Sequence, residues 1–339
     1  MVRLTCFPNR MAARRPALAL CLLACALLAA PASSVAAGGS ALRPQPPTSA
    51  EIDRGTQRFL DTLDESDRTR AGSSARRNGT GGAGQGSEDR LFPDRRLIAF
   101  YGAPQMGATI LGRKSVGGAK KKLRKQARRY RGAGMPVVEG MNLVAVIATS
   151  DRGADGKYRS RQSDRVIGQY HDAARRLDGR LILDIQPGRS SFMKEVRALD
   201  EWLERPDVDI ALDPEWNVGK RGRPGRTRGS VNAKTLNKLS AYMDKVVERE
   251  DLPPKALVVH QFHSGSVKKR NRVKQRDDVA VTLNFDGIGG RAAKVAGYER
   301  LTRDALFAGF SLFYRLDNGL MTPKQVARLE PTPNYVLYQ

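Results

Sequence analysis

From Leu91 onward the chain alternates strand-like apolar runs with amphipathic segments of helical spacing, and the alternation repeats eight times. The runs are RLIAFYG (96–102), PVVEGM (136–141, which NLVAVIA can extend), RLILDIQ (180–186) and VDIALDPE (208–215). The other four are KALVVHQF (255–262), VAVTLNFD (279–286), FAGFSLFY (307–314) and NYVLYQ (334–339). Between them, Val166, Ile167, Tyr170, Ala174 and Leu177 form one helical stripe after a Ser163 cap, and Val196, Leu199 and Leu203 another after Ser190 and Ser191. Leu236, Leu239, Met243 and Val246 make a third, and Thr322-Pro323 reads as a cap followed by proline at the first helical position. Repeated strand–helix units imply a parallel sheet. Eight of them in about 250 residues match the size and count of an α/β fold, the (β/α)8 TIM-type barrel, with a doubly wound open sheet as the alternative. An eighth helix is missing after NYVLYQ, and the segment EIDRGTQRFLDTLDES is expected to supply it, because Ile52, Phe59, Leu60 and Leu63 share one helical face.

The front of the chain reads differently. Residues 1–37 have the layout of a signal peptide: Arg10, Arg14 and Arg15, an apolar stretch from Ala17 to Ala30, then small residues ending Val35-Ala36-Ala37. Cleavage after Ala37 would release a secreted protein. Leu22-Leu23-Ala24-Cys25 resembles a lipobox, so membrane attachment is expected only if Cys25 is lipidated. Residues 38–90 are a low-complexity linker, RPQPPTSA and GSSARRNGTGGAGQGSEDR, interrupted by the short helix near 51–63, and the barrel domain occupies 91–339. Cys6, Cys21 and Cys25 all fall in the presequence, so the barrel has neither a disulfide nor a thiol nucleophile.

Strand parity sorts the acids. In VDIALDPE, Val208, Ile210, Leu212 and Trp216 share one face, while Asp209, Ala211, Asp213 and Glu215 share the other, which is expected to open into the barrel mouth. In the third strand Ile182, Asp184 and Gln186 turn inward, and in the sixth Thr282, Asn284 and Asp286 do so. The acids cluster at carboxyl ends, where barrel enzymes carry their sites. His260 and Phe262 share one parity and Gln261 and His263 the other; His260 is expected to face inward, with Gln261 kept as a substrate-binding candidate and Glu139 on the second strand as a further one of undetermined direction. Tyr101, Phe262 and Trp216 stand at strand ends and could stack on sugar rings, although parity favours core packing for Trp216. Any single strand-end acid is as readily a helix cap or an arginine partner. Four converging acids repel one another, so at least one should hold a proton while others stay ionised, as glycoside hydrolysis requires.

The formal charge of +24 is compatible with an acidic envelope polymer, a membrane surface or nucleic acid. Export and the absence of a nucleic-acid-binding motif argue against the last. The loop NVGKRGRPGRTRGS (217–230) is basic and glycine-rich and should lie on the mouth side, either gripping an acidic glycan group or simply solvated. AKKKLRKQARRYR (119–131) and KKRNRVKQR (268–276) read as solvated helix faces.

Together LDIQPG (183–188), ALDPEW (211–216), VVHQF (258–262) and NFDGIGG (284–290) resemble a family of secreted proteins and lipoproteins of actinobacteria, along nearly all of 95–339. That resemblance implies envelope location and a barrel, and no particular activity. Asp213-Pro214-Glu215 is also similar to the end of the strand-four signature of family 18 chitinases, where the final Glu is the acid, and Phe285-Asp286 resembles their strand-six Tyr-Asp. The earlier acids of that signature are out of register, and a strand-seven nucleophile would fall where Phe313 and Tyr314 stand, with Asp317 a poor substitute.

These readings converge on a monomeric secreted glycoside hydrolase that needs no cofactor or metal and acts on a cell-envelope or extracellular polysaccharide. Glu215 is the expected acid, tuned by Asp213, with Asp286 or Asp184 as base or nucleophile and His260 and Gln186 binding hydroxyls. A non-catalytic glycan-binding barrel and a metal-dependent hydrolase with Asp184, Asp213, Asp286 and His260 as ligands are the alternatives.

Overall fold

A computed structural model describes residues 91–339. The expected signal peptide, the linker and the helix near 51–63 lie outside the described residues. Eight parallel strands close on themselves. They are β1 (Arg96–Gly102), β2 (Val137–Ala148), β3 (Arg180–Ile185), β4 (Val208–Leu212), β5 (Lys255–Gln261), β6 (Val279–Phe285), β7 (Phe307–Leu312) and β8 (Tyr335–Tyr338). Each pairs with the next in chain order, and β8 pairs with β1, Leu97 opposite Tyr335 and Phe100 opposite Tyr338. That closed order is the (β/α)8 barrel and excludes the open sheet.

Eight α-helices lie between the strands: α1 (Ile110–Arg113), α2 (Val116–Arg128), α3 (Asp164–Arg175), α4 (Phe192–Arg197), α5 (Asp200–Leu203), α6 (Ala233–Arg249), α7 (Arg291–Thr302) and α8 (Pro323–Val326). The stripes named above supply their buried faces, for instance Leu236, Leu239, Met243 and Val246 on α6. Ser191 caps α4 by accepting from the Lys194 N–H, and Thr322 and Gln325 form a reciprocal capping box on α8. Ser163 stands at the N-cap of α3 without such a bond.

The fifth connection departs from the expected pattern, because KKRNRVKQR does not form a helix. It runs as a two-residue strand at Val267–Lys268 and a 3-10 turn at Arg270–Arg272, with Lys269 left-handed at φ 56. Only Val273 in that stretch is apolar, so it has no stripe to bury. The segment instead lies along α6, where Asn237 donates to Arg272 O and accepts from Lys274 N–H, and Arg276 donates to Ser240 Oγ. Among the described residues no helix is long and apolar enough to cross a membrane.

Inside the barrel, Arg180 and Asp209 close the amino-terminal end with a two-pronged ion pair at 2.8 and 2.6 Å. Asp209 also accepts from the Ala256 N–H at 2.8 Å. This inward acid at the start of β4 is structural, and it leaves the carboxyl-terminal end for the remaining polar groups.

Candidate active site

All eight strands send a polar side chain into the upper barrel: Tyr101, Asn142, Asp184 with Gln186, Asp213, His260, Asn284 with Asp286, Ser311 and Gln339. His260 is at the centre of their contacts. Its Nε2 lies 3.1 Å from Asp184 Oδ2, close enough for an ion pair though not aligned as a hydrogen bond, and its Nδ1 is 3.5 Å from Asp286 Oδ2. Asn142 Nδ2 donates to Asp184 Oδ2 at 3.1 Å. Asn284 faces His260 Nδ1 at 3.1 Å and donates to Ser311 Oγ at 2.8 Å, and Gln339 donates to Asp286 Oδ1 at 2.9 Å. The Tyr101 ring meets the imidazole edge-on, centroids 6.1 Å apart.

A second group adjoins it. The backbone N–H of Ala148 donates to Gln186 Oε1 at 3.1 Å, which turns Gln186 Nε2 toward Asp213 Oδ2 at 3.1 Å and the Tyr101 hydroxyl at 3.2 Å. Asp213 lies one residue beyond β4, its N–H bonded to Ile185 O at 3.0 Å. Its side chain is buried. Glu215 follows in a 3-10 turn, Pro214–Trp216, and is only half-buried, as is Trp216.

Burial and neighbouring charges push these groups apart. Burial, then the charges of Glu215 and Asp184, raise the Asp213 carboxyl well above its ordinary range, against the pull of His260. For His260 burial alone would favour the neutral ring, but the charge and contact of Asp184 and then of Asp286 outweigh it, so the imidazole holds its proton well above its usual range. Asp286 goes the other way: burial opposes ionisation, yet the His260 charge and hydrogen bonds from His260 and Ser311 hold it below the ordinary aspartate value. One mouth thus contains a carboxyl that holds its proton more tightly than usual and another that gives it up more readily, an arrangement suited to giving and taking protons.

Several sequence expectations need correction. Strand four ends at Leu212 rather than Glu215, because Pro214 begins the 3-10 turn, so Glu215 reaches the mouth from a turn and not by strand parity. Trp216 is on the same turn and only half-buried, so it is not a fully buried core residue. Gln261 faces the helix layer, donating to Leu301 O of α7 at 2.8 Å, as the parity opposite to His260 demands. Glu139 lies near the start of β2, outside the barrel. There burial raises its carboxyl, and the nearest opposing charges are Arg124, Arg131 and Arg128. Gln186 and His260 are buried and occupied by internal contacts, so neither presents a free edge to a ligand. Asp317 is buried against Lys294 at 2.8 Å, a pair that also ties Gly287 O and Ser311 O to the Lys294 ammonium.

Among the described residues no group of three or more His, Cys, Asp or Glu side chains could hold a metal ion. The geometry explains this: His260 stands between Asp184 and Asp286, so its two nitrogens and their carboxylates face each other rather than a common point. Sequence reasoning missed Asn142, Ser311 and Gln339. The parity of the seventh and eighth strands would have found the last two, since Ser311 and Gln339 are the inward polar positions there.

No protein-family model matches the chain, and no curated protein matches it. Among solved structures the chain is similar to a D-allulose 3-epimerase from Methylomonas sp., at 14% identity, covering 73% of this chain and 85% of that one with a TM-score of 0.34.

Proposed function

We propose that the protein is an exported (β/α)8 glycoside hydrolase of the cell envelope, related to the secreted actinobacterial proteins whose motifs it resembles. The observation that carries this reading is the pairing in one mouth of two acids pushed in opposite directions, Asp213 toward holding its proton and Asp286, beside His260, toward losing it. Asp213 is the buried holder of the proton. Glu215, the neighbour whose charge does most to raise Asp213 and a half-buried residue at the mouth, takes up the proton that Asp213 holds and delivers it to the glycosidic oxygen as the C–O bond breaks. Asp286, with 22% of its side chain exposed, is the anionic partner that meets the sugar or its attacking water. Asp184, fully buried behind His260, acts through His260 as a positioning residue.

The test is reducing-end release from isolated envelope polysaccharides by the full chain, compared with Glu215→Gln, Asp213→Asn and Asp286→Asn. Each substitution should lower the rate by at least about a hundredfold, the usual scale for a lost acid or base. Unchanged release by Glu215→Gln would defeat the assignment.

A further inference from the structure

The loop 217–230 carries Lys220, Arg221, Arg223, Arg226 and Arg228 and no acid. Following β4, it lies on the same face of the barrel as the acids, and it is folded tightly there. Val218 N–H donates to Gly188 O at 3.1 Å, Gly229 N–H to Glu215 O at 2.7 Å, and Asn217 Nδ2 to Ser230 O at 2.7 Å. A side chain at Gly229 would place its Cβ 2.5 Å from both Asn217 O and Pro214 O, so the close crossing of the loop requires glycine. From outside the loop, Arg189 donates to Gly222 O at 2.7 Å and lies over the Tyr158 ring, 4.4 Å from its centre, with Arg223 over the same ring at 5.9 Å.

This bracing keeps four exposed cations on one short, anchored loop. Among the described residues no carboxylate pairs with Lys220, Arg221, Arg223 or Arg226. Like charges kept together on an ordered loop destabilise the fold unless something negative binds them. A mobile solvated loop would spread them; this one is anchored to the backbone of Glu215, a half-buried acid of the site.

We propose that Lys220, Arg221, Arg223 and Arg226 form a subsite for the anionic groups of an acidic polysaccharide, and that they draw the polymer across the mouth beside Glu215. The proposal takes the glycan from the reading above and adds its charge. The recognised chemistry is a row of anions along a glycan, either uronate carboxylates or backbone phosphodiesters.

Binding can be read apart from turnover. Labelled oligogalacturonate, a glycerol-phosphate oligomer of matched length and a neutral dextran oligomer are titrated against the full chain carrying Asp286→Asn, at several salt concentrations. The variant with Lys220, Arg221, Arg223 and Arg226 all changed to Gln should lose about tenfold in affinity for the anionic oligomers. A control with Lys120, Lys121, Lys125 and Arg128 of α2 changed to Gln removes the same charge and should stay within about twofold. The tighter of the two anionic oligomers identifies the anion, and thermal melting confirms that both variants are folded. Equal losses in the two variants would show that only overall charge matters and would overturn the proposal. So would an unaffected loop variant, or tighter binding of short duplex DNA through the same four residues. Loss of hydrolysis in Glu215→Gln is a separate readout, so failure of the subsite and failure of the hydrolase reading are distinguishable.

Discussion

Gln186 donates to Asp213 Oδ2 and cannot turn the other way, because the Ala148 N–H occupies its Oε1 at 3.1 Å. Asp213 Oδ2 is therefore an acceptor, and a proton taken up by Asp213, which burial favours, belongs on Oδ1. Gln186→Glu would put a second carboxyl against Oδ2, and a proton would then be shared between the two acids. The pH at which the Asp213 carboxyl ionises should rise. Infrared titration of the protonated carboxyl band, assigned by its loss in Asp213→Asn, reads this directly, and a downward shift would refute the orientation.

His260 is the cation that makes two inward carboxylates tolerable. Replacing it with Asn leaves Asp184 and Asp286 without their partner and should cost about 3–5 kcal/mol near pH 6. The sign follows from linkage: the folded pKa of His260 is raised above its unfolded value near 6.5, so its contribution is complete below about pH 6.5 and is lost as pH rises through the folded value. Urea melts of both proteins from pH 6 upward should show a gap that narrows in the alkaline range. A gap of constant size would mean that His260 is neutral.

Strand count, barrel closure and the inward face of Asp184, Asp213, Asn284 and Asp286 were legible because alternation is a period-two signal that burial on the opposite face enforces. The same rule places Gln261 outward, since it lies one residue from His260. What parity cannot report is where a strand stops. Beyond Leu212 the Pro214 turn replaces alternation, so the half-exposed position of Glu215 depends on turn geometry. Protonation was legible only as an expectation of conflict, because which acid keeps the proton depends on contacts between strands far apart in sequence, such as His260 with Asp184 and Gln339 with Asp286.

Glu195 on α4 is buried outside the barrel proper, bridging Arg159 at 3.0 Å and Arg161 at 2.7 Å on the short strand beside β2. Burial opposes its charge, but the hydrogen bonds and charges of Arg161 and Arg159 hold its pKa below the ordinary glutamate value. Glu195→Gln should cost roughly 2–4 kcal/mol at neutral pH, toward the lower end because Arg161 is partly solvated. With a depressed folded pKa, this stability is present above the unfolded value and lost as pH falls through the folded one. Urea melts should therefore show the variant converging on the parent in acid, and a cost that grew as pH fell would contradict the pairing.

Gly309 faces inward on β7, where a Cβ would lie 2.6 Å from Asn284 Oδ1 and 3.1 Å from the Tyr335 ring. Gly309→Ala should therefore overpack the barrel by about 1–3 kcal/mol, displacing the Asn284 amide that meets His260 Nδ1. The Asn284 amide oxygen makes the closer approach, so the strain falls first on Asn284. The cost of Gly309→Ala should then be smaller when Asn284 has already been cut back to Ala, because the nearest clashing atom, Oδ1, is gone and of that side chain only the 3.0 Å approach to the Cβ remains. A double-mutant cycle by urea denaturation measures that coupling. Strictly additive costs would place the strain elsewhere and remove Asn284 as the link between the packing of β7 and the position of His260.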